Sequence, residues 1–263
     1  MLFDFHTHLF PDQLAPKALP KLAATFGANP FTDGTVSGTR AAFQQWGVTG
    51  AAVMHIAVKP GQQETVNNFA ASIQGDGLYS FGSVHPKDPH AVEEIRRVAS
   101  LGLHGLKFHP DYQGVPADDA CMDPLLEEAE KCGLPVLFHT GPDPIDPQHP
   151  LSRSERIAHL LERFPNLTII AAHMGGLNAP EEAEAFLLGK NLYIDTAMAH
   201  TFLTPAQFER MVRLHGIDRV LFGSDCPWSR SNDGVAFIEQ TSLSTEEKEA
   251  IYWKNAYRLL KIK

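Results

Sequence analysis

Short apolar segments alternate with longer segments of helical periodicity along the whole chain. The short segments are rich in valine, isoleucine, leucine and phenylalanine, and each has the length of one buried strand. Strands are predicted at 2–5, 50–55, 78–84, 105–108, 135–139, 168–172, 192–195 and 220–223. The pattern therefore predicts eight strands separated by amphipathic helices.

The longer segments carry apolar residues at helical spacing and recognisable helix starts. Helices are predicted at 91–101, 121–132, 152–164 and 204–215. Thr204 and Pro205 have the form of an N-cap and a first helical residue. Ser244 and Glu247 form a capping box that begins a last helix, predicted to end near Leu260.

Eight strands with helices between them predict an α/β fold, namely one closed (β/α)8 TIM barrel that occupies residues 1–263 as a single domain. Two doubly wound domains would need a linker, and no stretch of the sequence is polar and long enough to be one. The proline-rich stretch 10–35 is predicted to be a long loop at the rim of the barrel mouth.

The composition narrows the classes of partner. With 22 Lys and Arg against 31 Asp and Glu, the net charge of −9 disfavours nucleic acid, which needs a basic face. It leaves open a small substrate, anionic if local cations hold it, and it leaves homo-oligomer formation open. Three cysteines without a CxxC pair indicate a reducing, cytoplasmic compartment. No apolar run reaches the length of a membrane helix, and the N-terminus has no signal-peptide pattern.

Histidines and one aspartate stand at the carboxyl ends of the predicted strands. His6 and His8 end the first strand, His139 the fifth and His173 the sixth, and Asp225 follows the eighth. Barrel enzymes have their active sites at these ends. Three neutral imidazoles and a carboxylate suit Zn²⁺ with a bound water, whose pKa the metal lowers toward about 7.

Asp4 precedes His6 by two residues on the first strand. Because side chains two apart on a strand share a face, Asp4, His6 and His8 are predicted to point into the barrel together. Asp4 is then expected to orient a ligand histidine.

These strand-end residues, together with three local motifs, resemble those of the amidohydrolase superfamily. The motifs resemble its amidohydrolase-related branch (amidohydrolase 2), which contains metal-dependent hydrolases and aminocarboxymuconate-semialdehyde decarboxylase-like enzymes. They are His173-x-Gly175-Gly176, Gly223-Ser224-Asp225-x-Pro227 and Asn255-Ala256-Tyr257-Arg258-Leu259-Leu260. The resemblance runs over essentially the whole chain.

The resemblance implies metal ligation by His6, His8, His139 and Asp225. It also implies that His173 is the acid or base, or an electrophilic group. A carboxylate beside the metal-bound water can take its proton, and this role is expected of Asp225. One Zn²⁺ is expected, and another divalent metal or a second ion is the alternative. In members with two metals, the histidines of the fifth and sixth strands bind the second ion.

Lys107 stands on the fourth strand, where two-metal members carry a bridging carbamylated lysine or glutamate. Since one metal is usual in the branch, Lys107 is interpreted as a cation that faces the negative charge of the substrate. The alternative is a structural lysine paired with Asp4 or Asp195. His109, which shares the face of Lys107, and Trp228, a predicted pocket wall, complete the substrate-binding candidates.

Four functions are weighed on this basis. Hydrolysis of a small amide, ester or lactone is the first, and non-oxidative decarboxylation, with Lys107 or Arg40 on the carboxylate, is the second. A TatD-type deoxyribonuclease is disfavoured by the acidic charge and by the lack of a glutamate on the fourth strand. A non-enzymatic barrel would be expected to have lost a ligand, and none of the expected ligands is missing.

Overall fold

Eight parallel strands form the centre of the protein, seen in a computed structural model that describes residues 1–262. The strands are β1 (Phe3–Thr7), β2 (Gly50–Met54), β3 (Leu78–Phe81), β4 (Leu106–Phe108), β5 (Val136–Phe138), β6 (Ile169–Ala171), β7 (Tyr193–Asp195) and β8 (Val220–Leu221). Each lies within or beside a segment that the apolar pattern predicts, which confirms the barrel as one domain.

The strands close into a cylinder through hydrogen bonds at two seams. Continuous strand pairing gives a three-stranded part, β1-β2-β3, and a five-stranded part, β4-β5-β6-β7-β8. A parallel bridge from Gly82 to Leu106 joins β3 to β4. The Phe5 amide donates to the Phe222 carbonyl at 2.7 Å, which joins β1 to the end of β8. The carboxyl ends of all eight strands therefore meet at one mouth.

Helices surround the strands and shield their outer faces. They are α1 (Ala15–Phe26), α2 (Val36–Trp46), α3 (Gln63–Ser72), α4 (Ala91–Ser100), α5 (Pro110–Gln113), α6 (Asp123–Lys131), α7 (Ser154–Arg163), α8 (Pro180–Phe186), α9 (Ala199–Phe202), α10 (Pro205–His215), α11 (Ser231–Ile238), α12 (Thr245–Glu249) and α13 (Asn255–Leu260). A π-helical turn, Ala250–Lys254, joins the last two. Among residues 1–262, no helix combines the length and apolar character that a membrane crossing would need.

The expectation of a long irregular loop at 10–35 is wrong, because this stretch contains α1. Pro16 stands in the first turn, where a missing amide costs no intrahelical bond, whereas Pro20 lies inside the helix and forgoes one such bond without ending it. The helix ends at Gly27, whose φ of 68° is the left-handed conformation that glycine adopts easily. The barrel rim after β1 is therefore partly helical.

Aromatic and aliphatic side chains fill the amino-terminal half of the barrel interior. Phe3, Phe5, Phe81, Leu137 and Ile170 form this plug, and each is fully buried. A separate and larger apolar layer lies between the strands and the helices. The strand-end histidines and Asp225 lie beyond this plug, at the carboxyl end of the barrel, and Lys107 lies in register with the plug residue Leu137.

A bulge in β1 changes which side chains face the interior. Between Asp4 and Thr7, three steps along β1 correspond to two steps along β2. As a result, neighbouring residues Phe5 and His6 both face the interior, Phe5 in the plug and His6 against the polar cluster above it.

Asp4 consequently does not share the face of His6, contrary to the sequence expectation. Its carboxylate accepts hydrogen bonds from the Ser224 amide (2.9 Å) and the Ser231 hydroxyl (2.7 Å). These contacts tie β1 to the segment after β8 and to α11. Asp4 thus stabilises the barrel seam rather than orienting an imidazole.

His215 at the end of α10 gives a testable link between pH and stability. Its Nε2 donates to the Leu192 carbonyl at 3.0 Å and its Nδ1 accepts from the Gly189 amide, so the ring is held neutral. Burial lowers the pKa of His215 to about 4 from 6.5. As the pH falls, the unfolded chain therefore gains the second proton on His215 at a higher pH than the folded protein does. Because of this residue, the free energy of unfolding should fall by up to about 3 kcal/mol between pH 6.5 and pH 4.

Urea unfolding at pH 7 and pH 5 tests this expectation. His215→Gln should show a smaller stability loss between the two pH values than the wild type. His149→Gln, at an exposed position, serves as the control and should leave the pH dependence unchanged. Equal pH dependence in the wild type and His215→Gln would contradict the prediction.

Candidate metal centre at the barrel mouth

His6, His8 and Asp225 converge at the carboxyl ends of β1 and β8. Asp225 Oδ1 lies 3.2 Å from His8 Nε2 and 3.5 Å from His6 Nε2, and the three atoms lie within 4.8 Å of one another. Metal bonds of about 2.0–2.2 Å in a tetrahedral site place ligand atoms about 3.3–3.6 Å apart. The spacing of this triad therefore fits a divalent transition metal.

The Nδ1 atoms of His6 and His8, which do not face the triad, each lie at hydrogen-bond distance from an acceptor oxygen. His6 Nδ1 lies 2.8 Å from Asp195 Oδ2, and His8 Nδ1 lies 2.9 Å from the Met54 carbonyl oxygen. A carboxylate and a carbonyl can only accept, so Nδ1 carries the proton and the Nε2 lone pair faces the triad. This is the tautomer that metal ligation requires.

Asp225 is held in a strained conformation with its carboxylate ionised. Its φ is 72°, in the left-handed region, and its amide donates to the His6 carbonyl at 2.8 Å. Burial raises the pKa of the Asp225 carboxyl, but the His6 and His8 imidazoles outweigh burial and the net pKa lies well below its usual value. The group is therefore an anion at neutral pH.

His139 and His173 lie beside the triad, at the ends of β5 and β6. His173 Nε2 is 3.1 Å from His139 Nδ1, and the rings of His173 and His6 have centroids 5.1 Å apart. His173 Nδ1 lies 3.1 Å from the Ala197 carbonyl oxygen. The five residues that the sequence indicated for metal binding and catalysis thus lie at one mouth of the barrel. His139, however, contacts His173 and not the triad itself.

His139 also belongs to a second group, with His109 and Asp143. The His109 and His139 rings stack at a centroid distance of 4.1 Å and an interplanar angle of 6°. Asp143 Oδ2 lies 3.5 Å from His109 Nε2 and 3.7 Å from His139 Nε2. His109, expected as a substrate contact, is 5% exposed and faces this carboxylate.

Lys107 is the buried cation of the site. Its Nζ lies 3.4 Å from His6 Nε2, and no carboxylate oxygen of residues 1–262 lies within 4.0 Å of it, so the structure does not pair it with Asp4 or Asp195. Burial lowers the pKa of Lys107 to about 8. Arg40, the other candidate for a substrate carboxylate, lies away from the mouth and donates to the Asp76 carbonyl at 2.8 Å.

Trp228 follows Asp225 by three residues and closes a turn, in which its amide donates to the Asp225 carbonyl at 2.8 Å. Its ring stacks on Phe26 of α1 at a centroid distance of 4.7 Å, and the residue is 5% exposed. This stacking connects α1 to the segment that carries Asp225. A substrate contact by Trp228 remains a prediction.

Two buried carboxylates at the mouth were not assigned to the metal centre from the sequence. Asp195 ends β7, so the strand-end rule that selected the histidines could have selected it. Asp143 lies in the loop after β5, four residues beyond His139, and no spacing rule indicates it. Only the fold turns its side chain inward.

The Asp195→Asn variant tests whether Asp195 holds the proposed metal ligand His6 in the tautomer that ligation requires. An asparagine keeps the size of the side chain but can present an N–H to His6 Nδ1, which disrupts the required tautomer. Metal affinity, measured by competition with a chelator, should fall about 10- to 100-fold. Asp12→Asn, at an exposed position, is the control, and a wild-type affinity in Asp195→Asn would contradict the assignment.

Comparison with known proteins identifies the family to which the chain belongs. The family model described as Amidohydrolase matches residues 3–262. A curated relative, gamma-resorcylate decarboxylase from Polaromonas sp. strain JS666, is 27% identical over 123 residues, which cover 39% of this chain and 37% of the relative. The matched part thus spans well under half of that protein's length.

Several solved structures resemble the whole chain, and two of them are as follows. One is 5-carboxyvanillate decarboxylase from Novosphingobium aromaticivorans, complexed with manganese and 4-hydroxy-3-methoxy-5-nitrobenzoic acid: TM-score 0.75, 17% identity, 100% of this chain and 96% of that chain covered. The other is a probable 2-pyrone-4,6-dicarboxylic acid hydrolase from Acinetobacter baumannii with citric acid bound: TM-score 0.68, 15% identity, 99% of each chain covered. These likenesses show the TIM-barrel fold, and the family match over residues 3–262 shows that the chain belongs to the amidohydrolase family.

Proposed function

We propose that the protein is a metal-dependent decarboxylase of a small aromatic or unsaturated carboxylic acid. The observation that carries the proposal is Lys107, a buried cation 3.4 Å from the Nε2 atom of His6. A substrate carboxylate bound between Lys107 and a divalent ion held by the His6–His8–Asp225 triad would have its negative charge compensated from both sides. The relatives named as decarboxylases favour this reaction over the hydrolysis that the sequence alone ranks first.

The proposed metal ligands are His6, His8, His139 and Asp225, with Zn²⁺ or Mn²⁺ as the ion. When bound, the ion supplies Lewis-acid polarisation of substrate oxygen atoms. His139 contacts His173 rather than the triad itself, so its ligation would require its side chain to move. A second ion is the alternative.

Decarboxylation replaces a carbon–carboxylate bond with a carbon–hydrogen bond, so a proton must reach the substrate carbon. His173 is the proposed donor in its imidazolium form, in which the Ala197 carbonyl accepts the Nδ1 proton and the proton on Nε2 is the one transferred to the substrate carbon. The electron pair of the broken bond stays on the carbon that receives the proton, and carbon dioxide leaves. Lys107 holds the carboxylate, and Asp225 stays ionised throughout.

Hydrolysis of a small ester, lactone or amide is the second candidate. The ionised Asp225 carboxylate, next to His6 and His8, favours it, because such a group can accept the proton of a water molecule. His173 would then protonate the leaving group.

Product analysis separates the two reactions. The purified chain, loaded with Zn²⁺ or Mn²⁺, is incubated with 2,6-dihydroxybenzoate, 5-carboxyvanillate and a panel of esters and lactones. Release of carbon dioxide from a carboxylate, dependent on added metal, is the expected result. Turnover of esters or lactones without any carbon dioxide would support hydrolysis and overturn the decarboxylase proposal.

A further inference from the structure

Three acceptor atoms converge at the metal centre, and Lys107 donates to one of them. His6 Nε2, His8 Nε2 and Asp225 Oδ1 all present lone pairs, since both imidazoles carry their proton on Nδ1. Lys107 Nζ lies 3.4 Å from His6 Nε2, but it does not come within 4.0 Å of an Asp225 oxygen. The lysine therefore serves one member of the triad, and the other two acceptors need a different cation.

The lone pair on His6 Nε2 can serve Lys107 or a metal ion, but not both. A neutral imidazole has one such lone pair, which lies in the plane of the ring. A metal ion bound about 2.0–2.1 Å from Nε2 would approach along the same direction as the Lys107 N–H. We therefore expect metal binding to break the hydrogen bond between Lys107 and His6.

Without this hydrogen bond, the Lys107 ammonium has no acceptor among the described residues. The residue is 1% exposed, and His6 Nε2 is the one hydrogen-bond partner that the described part of the chain offers to its Nζ. The carboxylates of Asp195, Asp225 and Asp143 act on its charge from more than 4.0 Å away. A buried cation without a partner is unfavourable, and a divalent ion beside it adds like-charge repulsion. An anion that contacts both cations relieves both penalties.

We propose that Lys107 makes the metal centre bind its ion and a carboxylate together. In the metal-free protein the ammonium donates to His6, and the incoming ion releases it to hold the carboxylate. Each ligand then raises the affinity for the other by the same factor, because coupling between two sites is reciprocal. The inference rests on the proposed metal centre and on the carboxylate contact of the proposed function, and it adds the order in which the two ligands bind.

Direct ligation of the ion by Lys107 is the competing arrangement. The 3.4 Å between Nζ and His6 Nε2 is also the spacing of two ligand atoms around one ion. Nζ would first have to give up a proton, or react with carbon dioxide to form a carbamate, before it could offer a lone pair. As a ligand, Lys107 would strengthen metal binding, whereas as an ammonium it weakens metal binding until a carboxylate arrives.

Zinc affinity measured by competition with a chelator tests the coupling in the wild type. Benzoate in excess should lower the Zn²⁺ dissociation constant about 5- to 150-fold, the usual range for coupled sites. Benzamide, which has the same ring and no charge, should leave the constant unchanged. Calorimetry should detect benzoate binding to the Zn²⁺-loaded protein and not to the metal-free protein. An equal effect of benzoate and benzamide would overturn the proposal.

The Lys107→Met variant separates the role of the lysine from a direct contact between the ion and benzoate. Without benzoate, its Zn²⁺ dissociation constant should be lower than that of the wild type by about 10-fold or more, because both the competing donor and the repulsion are gone. The effect of benzoate should shrink to a few-fold. Lys87→Met, at an exposed lysine, is the matched control and should keep the wild-type values. Circular dichroism checks that both variants are folded.

Two results with Lys107→Met contradict the proposal. A higher Zn²⁺ dissociation constant without benzoate would make Lys107 a ligand of the ion. An undiminished effect of benzoate would show that the ion alone holds the carboxylate. None of these measurements needs turnover, so coupling in a protein that releases no carbon dioxide from any carboxylate would support this inference and overturn the decarboxylase proposal.

Discussion

Asp225→Asn should fold normally and lose both its metal and its turnover. Asparagine tolerates the φ of 72° at this position, and the change removes a buried charge, so the barrel has no reason to unfold. It also removes the only anionic member of the His6–His8–Asp225 triad. We expect kcat/KM to fall by about 10³ or more, because a ligand and a proton acceptor are lost together.

Inductively coupled plasma mass spectrometry measures the loss of metal, and steady-state kinetics measures the loss of turnover. Circular dichroism checks that the variant is folded. Asp76→Asn is the matched control, because Asp76 is exposed and also has a positive φ, 47°. Full activity of Asp225→Asn on any substrate that the wild type turns over would contradict the proposed metal centre.

Lys107→Met should keep the metal and lose turnover of carboxylated substrates. Methionine fills much of the volume of the lysine stem in the barrel interior without a charge. If Lys107 holds the substrate carboxylate, kcat/KM should fall by about 10²–10³, the cost of removing one preorganised electrostatic contact. Neutral esters, if they are turned over, should be affected less.

Kinetics on a carboxylate and on a neutral ester, together with metal content, test the expectation. Lys87→Met, at an exposed lysine, is the control and should match the wild type. Loss of the metal in Lys107→Met would instead point to a lysine that helps to hold the ion, as a carbamylated bridge would.

The barrel could be predicted from the sequence because its signal is local and repeated. Each strand is a short apolar run between polar helical segments, as in 168–172, which contains β6, Ile169–Ala171. A closed barrel is the simplest way to bury eight such runs in 263 residues. The stretch 10–35 was wrongly predicted to be irregular, because Pro16 in the first turn of α1 is compatible with a helix and Pro20 costs one hydrogen bond without ending it.

The site could be predicted only in part. Strand ends converge in any barrel, so His6, His8, His173 and Asp225 could be expected at one mouth. The direction of a side chain near a bulge cannot be read from alternation, and this is why Asp4 was assigned to the wrong face. Asp143 was missed because its loop conformation depends on contacts that are distant in sequence.

The sequence by itself determined the element order, the closed barrel and the types of ligand at its mouth, since hydrophobic period and strand-end position are properties of neighbouring residues. The tertiary structure alone decided which atoms meet. Asp195 orients His6 from 189 residues away, and His139 stands between His173 and Asp143. Such pairings depend on the register and closure of the barrel, because hydrogen bonds and metal bonds form only within a few ångströms.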